Sequence, residues 1–215
     1  MARGRASSYD DQREAILAQA ALLFAHQGYA GTSMNQVAAA CGLSKATLYH
    51  YYRDKYALLV SIADGHVGKL QALVAEVLAR PLPPEQQLRA LIHHIVQAYA
   101  DAQHAHRVLT EDVRFLLPAD QQRVLDGQRR VVAGFAQAVA GLRPELKTAA
   151  LSTPLTMLLF GMINWLFTWL QPGGRLDHEA LAPIVADLFV GGLGAVQLPA
   201  ATTLNPLSPT LLENT

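Results

Sequence analysis

Along most of the chain, apolar residues return every three or four positions, the spacing of one face of an α-helix, and no stretch alternates as a half-buried strand does. Ile16, Ala20, Leu23, Phe24 and Gln27 mark one such face, and Met34, Val37, Ala38 and Cys41 mark the next. Leu58, Leu59, Ile62, Leu70, Leu73, Val74 and Val77 mark a much longer one. With breaks at Gly28, Gly42, the Pro81, Pro83 and Pro84 cluster, Pro118, Pro144 and Pro172-Gly173-Gly174, the pattern predicts helices over 10–27, 34–41, 44–51, 54–77, 85–102, 108–117, 119–139, 154–169 and 178–196. An all-α fold of about nine helices follows, with no internal repeat.

Residues 33–56 read as two short helices joined by a tight turn. Ser33 with Gln36 fits a capping box, Gly42 supplies the left-handed residue that ends the first helix, and Ser44 can cap the second. That second helix crowds Lys45, Thr47, Tyr49, His50 and Tyr51 around a single plain core residue, Leu48, so it is built to be touched. Lys45 lies in its first turn, where free N–H groups favour an anion, and a phosphate would suit both. A helix-turn-helix unit places its second helix in the DNA major groove, with flanking groups on the backbone. An ordinary helical hairpin with aromatic packing is the competing reading.

Gly28-Tyr29-Ala30-Gly31-Thr32-Ser33, Val37-Ala38, Gly42-Leu43-Ser44-Lys45-Ala46-Thr47-Leu48-Tyr49-His50-Tyr51-Tyr52, Lys55 and Leu58-Leu59 resemble the DNA-binding region of the TetR family of bacterial one-component repressors. The likeness is close over about the first 60 residues and fixes many positions in one register. Tyr52 stands where the family usually has Phe, a conservative change. The resemblance implies a three-helix helix-turn-helix DNA-binding domain joined by a long helix to an α-helical ligand-binding and dimerisation domain. On that basis the chain divides into 1–56, 57–198 and a flexible tail, 199–215. A homodimer would bind a palindromic double-stranded DNA operator and release it when a small effector enters the second domain. Ser33, Ala46, Thr47 and His50 are the candidates for groove contacts, and Thr32, Ser44, Lys45, Tyr49, Tyr51 and Lys55 for phosphates. Arg3 and Arg5, in a flexible Gly- and Ser-containing start, could reach the minor groove or carry incidental charge.

Residues 151–170 are apolar almost all round, but Pro154, Thr156, Asn164 and Thr168 argue against a membrane span. Such a helix is buried on all sides, so one face should line an interior and the other meet a partner subunit. The last helix, with Gly191, Gly192 and Gly194, can approach it, and the two helices with their two-fold mates would form a four-helix interface. The stretch from Gly161 to Gly174, which holds Asn164, Trp165 and Trp169, together with that from Arg107 to Leu116, resembles TetR-family members that sense acyl-CoA thioesters, including repressors of fatty-acid, steroid-ring and phenylacetate catabolism. That likeness implies an apolar cavity for the acyl part, with Arg107 or Arg114 at phosphates near its mouth, though both arginines could equally form surface ion pairs. Asn164, Trp165 and Trp169 are the other ligand candidates. An efflux-type regulator of the same family and a helical carrier of hydrophobic ligands are the alternatives.

Catalysis finds no positive support. There is no Gly-x-Ser-x-Gly elbow, Gly68-Lys69 lacks the rest of a phosphate loop, and His93-His94 and the His104, His106 pair are not spaced to share a helical face. No cofactor and no metal are expected. Net charge is zero, but residues 1–60 carry six Lys/Arg against four acids, a local +2 that leaves −2 for the remainder. DNA affinity would then rest on a few well-placed contacts and on dimerisation. Cys41 is the only cysteine, and the N-terminus lacks the apolar stretch of a signal peptide, which together point to the cytoplasm. At 51% hydrophobic residues and 16% charged, the chain is rich enough in apolar surface to need a covering partner.

Overall fold

Two glycines with left-handed φ, Gly28 at +77° and Gly42 at +64°, set the first corners of the chain. The computed structural model describes residues 3–170 and 176–198. Helix α1 (Arg3–Gly31) kinks at Gly28, α2 (Met34–Ala40) follows, and α3 (Lys45–Tyr51) leads to Asp54. The Asp54 carboxylate accepts from Ala57 N at 2.7 Å and so caps α4 (Lys55–Ala79). Pro81, Pro83 and Pro84 end that helix, and Pro84 opens α5 (Pro84–Asp101), where its missing N–H is not needed. There follow α6 (Gln103–Glu111), a 3-10 turn (Val113–Phe115), α7 (Pro118–Leu142), α8 (Pro144–Thr148), α9 (Ser152–Asn164), α10 (Leu166–Trp169) and α11 (His178–Ala195). Among the described residues there is no strand, and nine helices have seven residues or more.

Several boundaries differ from those the pattern predicts. The backbone around Arg3 and Arg5, expected as a flexible lead, is already helical. The helix expected over 108–117 lies over Gln103–Glu111 instead, because Ala102 alone, at φ −130° and ψ 37°, separates α5 from α6. Pro118 holds Leu117 extended, so the chain leaves the helix before reaching it. The helix expected over 154–169 is divided at Trp165 into α9 and α10. Arg143, expected in a linker, donates to the carbonyls of Leu193 and Val196 and ties the start of α8 to the end of α11. The tail 199–215 and the Pro172-Gly173-Gly174 break lie outside the described residues.

Apolar side chains gather in two cores, and α4 runs through both. Leu58, Leu59, Ile62, Ala63 and Val67 join Ile16, Phe24, Val37 and Leu48 in the first, while Leu70, Val74 and Val77 join Leu91, Ile95, Phe135, Leu159 and Phe189 in the second. Val108 and Leu109 of α6 and Val124 of α7 also belong to the first core, so the helix-turn-helix rests on the helices behind it. Helix α7 lies unusually close to α4. A Cβ built on Gly127 would stand 2.3 Å from Val67 Cγ1, and one on Gly134 would stand 2.3 Å from Val74 Cγ1. Helix α4 is, among the described residues, the one helix long and apolar enough to cross a membrane, and nine of its residues are buried within this fold.

Helix α9 buries one of its sides within the chain. Leu159, Phe160 and Ile163 face the second core, whereas Leu158 and Trp165 are 66% and 65% exposed. Trp169 of α10 and Ile184 and Leu188 of α11 are exposed as well.

Candidate nucleic-acid interface

The two-helix unit is held by its caps. Ser33 N donates to Gln36 Oε1 at 2.8 Å and Gln36 N to Ser33 Oγ at 3.3 Å, which completes a capping box. Leu43 N donates to Ala38 O at 2.9 Å across the Gly42 corner. Thr47 N donates to Ser44 Oγ at 3.0 Å and starts α3. Helix α3 fully buries only Leu48. Lys45, Ala46, Thr47, Tyr49 and His50 are therefore left exposed along it, with Tyr51 half-buried. The Lys45 ammonium lies 5.8 Å from the Tyr49 ring centroid. Ser44 Oγ and Thr47 Oγ1 are 2.8 Å apart, so one hydroxyl of this exposed pair is partnered before any ligand arrives.

Two of the phosphate candidates have other work. Thr32 is 2% exposed, and its hydroxyl donates to the carbonyls of Gly28 at 3.0 Å and Leu23 at 3.4 Å. Lys55 Nζ donates to the carbonyls of Tyr29 at 2.7 Å, Thr32 at 2.8 Å and Ala30 at 3.4 Å, and lies 4.4 Å from the Tyr29 ring centroid. An ammonium has three protons, and these carbonyls take them all. Lys55 and the Thr32 side chain thus leave the phosphate set: they join the end of α1 to the start of α4. Ser33 stays exposed, but its hydroxyl is engaged with Gln36 Oε1 at 2.8 Å.

Helix α1 contributes residues that sequence reasoning passed over. Tyr9 stacks on Tyr51 at 4.8 Å and meets the His50 ring edge-on at 6.4 Å, and the Arg13 guanidinium lies 5.4 Å from the Tyr52 ring centroid. Tyr9 and Arg13 are one turn apart, so one face of α1 grips the end of α3. Their spacing was visible in the sequence, but nothing there said which helix they face.

Residues 16–62 match the family profile described as bacterial regulatory proteins, tetR family, and residues 81–193 match the tetracyclin repressor-like C-terminal domain. The chain belongs to the tetR family. It is a helix-turn-helix transcriptional regulator. Among solved structures, a TetR-family transcriptional regulator from Bordetella parapertussis 12822 is 32% identical over 86% of this chain and 97% of that one, with a TM-score of 0.79. AibR, in complex with isovaleryl coenzyme A and operator DNA, is 26% identical over 88% of this chain and 100% of that one, with a TM-score of 0.68. The HTH-type transcriptional repressor KstR2 of Rhodococcus jostii (strain RHA1) is 22% identical over 192 residues, 88% of this chain and 94% of that protein.

The ligand candidates of this tetR-family chain do not converge on one cavity. Arg107 is exposed and paired with Glu111 at 3.0 Å, and Arg114 is exposed beside the Phe115 ring. Trp165 and Trp169 lie at the surface. Their rings follow the outer stripe of α9 and α10, which faces away from the second core. Asn164 alone turns inward: its Oδ1 is buried and has no hydrogen-bond partner among the described residues.

A different polar cluster sits where the two cores meet. His66 Nε2 of α4 and His106 Nδ1 of α6 are 3.3 Å apart, and Tyr99 of α5 stacks on the His106 ring at 3.6 Å. All three side chains are buried. Burial lowers His66 to about 4, helped by the positive charge of Lys69, and lowers His106 to about 3, helped by His66. Both imidazoles are therefore neutral at neutral pH. A cavity of about 10 Å³ adjoins His106 and Tyr99, and Gln103, Ile163, Leu166 and His178 complete its lining. Forty residues separate the two histidines, and no helical spacing could have paired them. Among the described residues no group of three or more His, Cys, Asp or Glu could hold a metal ion.

Proposed function

We propose that this tetR-family regulator acts as a homodimeric repressor that grips a palindromic operator with α2 and α3 and releases it when an acyl-CoA thioester enters the second domain. The observation that carries the DNA half is α3 itself: one buried leucine anchors it while Lys45, Thr47, Tyr49 and His50 stand exposed on a rigid, doubly capped corner. Ala46, Thr47 and His50 meet base edges, joined by Ser33 at the start of α2, and Ser44, Lys45, Tyr49 and Tyr51 meet the backbone. Support for the effector half comes from AibR, whose structure with isovaleryl coenzyme A and operator DNA shares this fold. Residues 1–56 act as the reading head and 57–198 as the sensing and pairing domain.

Helices α9, α10 and α11 offer the dimer surface. Leu158, Trp165 and Trp169 with Ile184 and Leu188 leave a stripe of large apolar side chains in water, which a second copy of the same stripe would cover. Release then needs the effector to favour a head spacing that fits DNA less well, a coupling of about 1–3 kcal/mol. Tyr56 is placed to pass it on, since its hydroxyl donates to Asp120 Oδ2 at 2.5 Å and accepts from Leu117 N at 2.9 Å, linking the start of α4 to that of α7.

The test is selection of binding sites from random duplex DNA, followed by mobility shifts on the recovered site with and without acyl-CoA thioesters. A recovered palindrome whose complex dissociates on adding a thioester supports the proposal. No enriched site defeats the DNA half, and an enriched site indifferent to thioesters defeats the effector half.

A further inference from the structure

The rings of His66, His106 and Tyr99 place polar tips at the junction of two otherwise apolar cores, with the two imidazoles hydrogen-bonded to each other. Small-molecule sites have this composition: apolar walls with a few placed polar groups. Here the walls are Ile163 and Leu166, and the polar groups are Tyr99, Gln103, His106 and His178. We propose that this node anchors the polar group of the effector and that the group it takes is an uncharged carbonyl, as in a thioester, ester or amide. The inference rests on the ligand-responsive reading above and deepens it.

Charge decides the class. Among the described residues no Lys, Arg, Asp or Glu lines the cavity, and His66 and His106 are neutral at neutral pH. A carboxylate or ammonium placed there would meet no fixed opposite charge among the described lining residues, and burying an ion without one is strongly disfavoured. A carbonyl needs only a donor, and imidazole, amide and phenol groups each offer one.

Size then links occupancy to the reading head. A space of about 10 Å³ holds no more than a water molecule, so a carbonyl with any apolar body must push a wall aside. Ile163 and Leu166 flank the junction of α9 and α10 at Trp165, and His106 belongs to α6, whose Val108 and Leu109 sit in the head's core. His66 immediately precedes Val67, another member of that core. Helices α4 and α6 cannot move away from the node without moving the surface on which α1 to α3 rest.

The test uses the full-length protein with three probes: isovaleryl-CoA, isovalerate as its charged counterpart, and CoA without an acyl group. Thermal shifts and operator release are recorded for the wild type, His106→Phe and Gln103→Leu, each normalised to its own operator affinity. Gln103 is half-buried at the rim and serves if His106→Phe fails to fold. Expected is a response of the wild type to isovaleryl-CoA only, with apparent affinity about tenfold weaker in either variant, the factor one lost hydrogen bond of this kind gives. Variants that respond as the wild type does, or an equal response to isovalerate, overturn the anchor while leaving the regulator reading intact. A wild type that binds its operator but ignores isovaleryl-CoA overturns the thioester effector and the anchor together, whereas failure to bind any DNA breaks the underlying reading.

Discussion

Replacing Lys55 by methionine keeps the aliphatic stem and removes the ammonium that ties the carbonyls of Tyr29, Ala30 and Thr32 to the start of α4. All three are charge-assisted, and the two short ones, at 2.7 and 2.8 Å, are each worth about 1.5–3 kcal/mol. The site is half-buried, and water can re-solvate part of what is left, so the expected loss is about 2–3 kcal/mol rather than the full sum. For a chain of this size that lowers Tm by roughly 5–10 °C. Lys45→Ala should do the opposite: Tm holds, while the log–log slope of operator affinity against salt flattens by about 0.9 per phosphate lost, about 1.8 for a dimer. Differential scanning calorimetry and salt titrations of both variants separate the two roles. If Lys55→Met kept its Tm and flattened the salt slope, Lys55 would be a phosphate contact after all, and the reasoning from its three carbonyls would be refuted.

Other consequences are equally specific. Gly134→Ala puts a methyl 2.3 Å from Val74 Cγ1, so α4 and α7 must part; a stability loss of about 1–3 kcal/mol is expected in denaturant melts, and an unchanged midpoint would mean the helices have slack. His66 and His106 titrate near 6.5 when unfolded but at about 4 and about 3 when folded, so below pH 6.5 the unfolded chain binds more protons and stability falls. The stability present above pH 6.5 drops by about 3 kcal/mol for His66 alone as pH approaches 4, and equal urea midpoints at pH 7 and pH 5 would contradict this. Leu188→Arg, in the middle of the exposed apolar stripe, should convert the proposed dimer to monomer in sedimentation velocity; a persistent dimer moves the interface elsewhere. Tyr9→Ala removes the stack on Tyr51 and should reduce operator affinity more than affinity for random DNA, whereas Tyr9→Phe should restore it; equal loss on both DNAs would reduce Tyr9 to a general stabiliser.

Much of this was legible because it is local. Ser33 with Gln36, Gly42, Ser44 and Asp54 act on neighbours one turn away, and the corners they fix fall where their chemistry places them. The limits of α6 were not legible, since Ala102 breaks the helix through its backbone angles and not through any property of alanine. Long-range partners were hidden in the same way. Lys55 looks like a surface cation in the sequence, and only the approach of Tyr29, 26 residues earlier, makes it a clamp. The His66–His106 pair depends on α4 and α6 lying side by side, so the sequence offered histidines without saying which would meet. Arg107, Trp165 and Trp169 were plausible by type, but the helical faces that carry them turn outward.

The central claim is that α3 reads DNA as one of a symmetric pair. Selection from random duplex DNA by the full-length protein tests it most directly. The account predicts enrichment of two inverted half-sites centred about one helical turn apart, roughly 34–36 Å, or a whole multiple of that, with enrichment lost when Ala46, Thr47 and His50 are replaced together. Enrichment of no palindrome, or of one that survives that triple replacement, would contradict it.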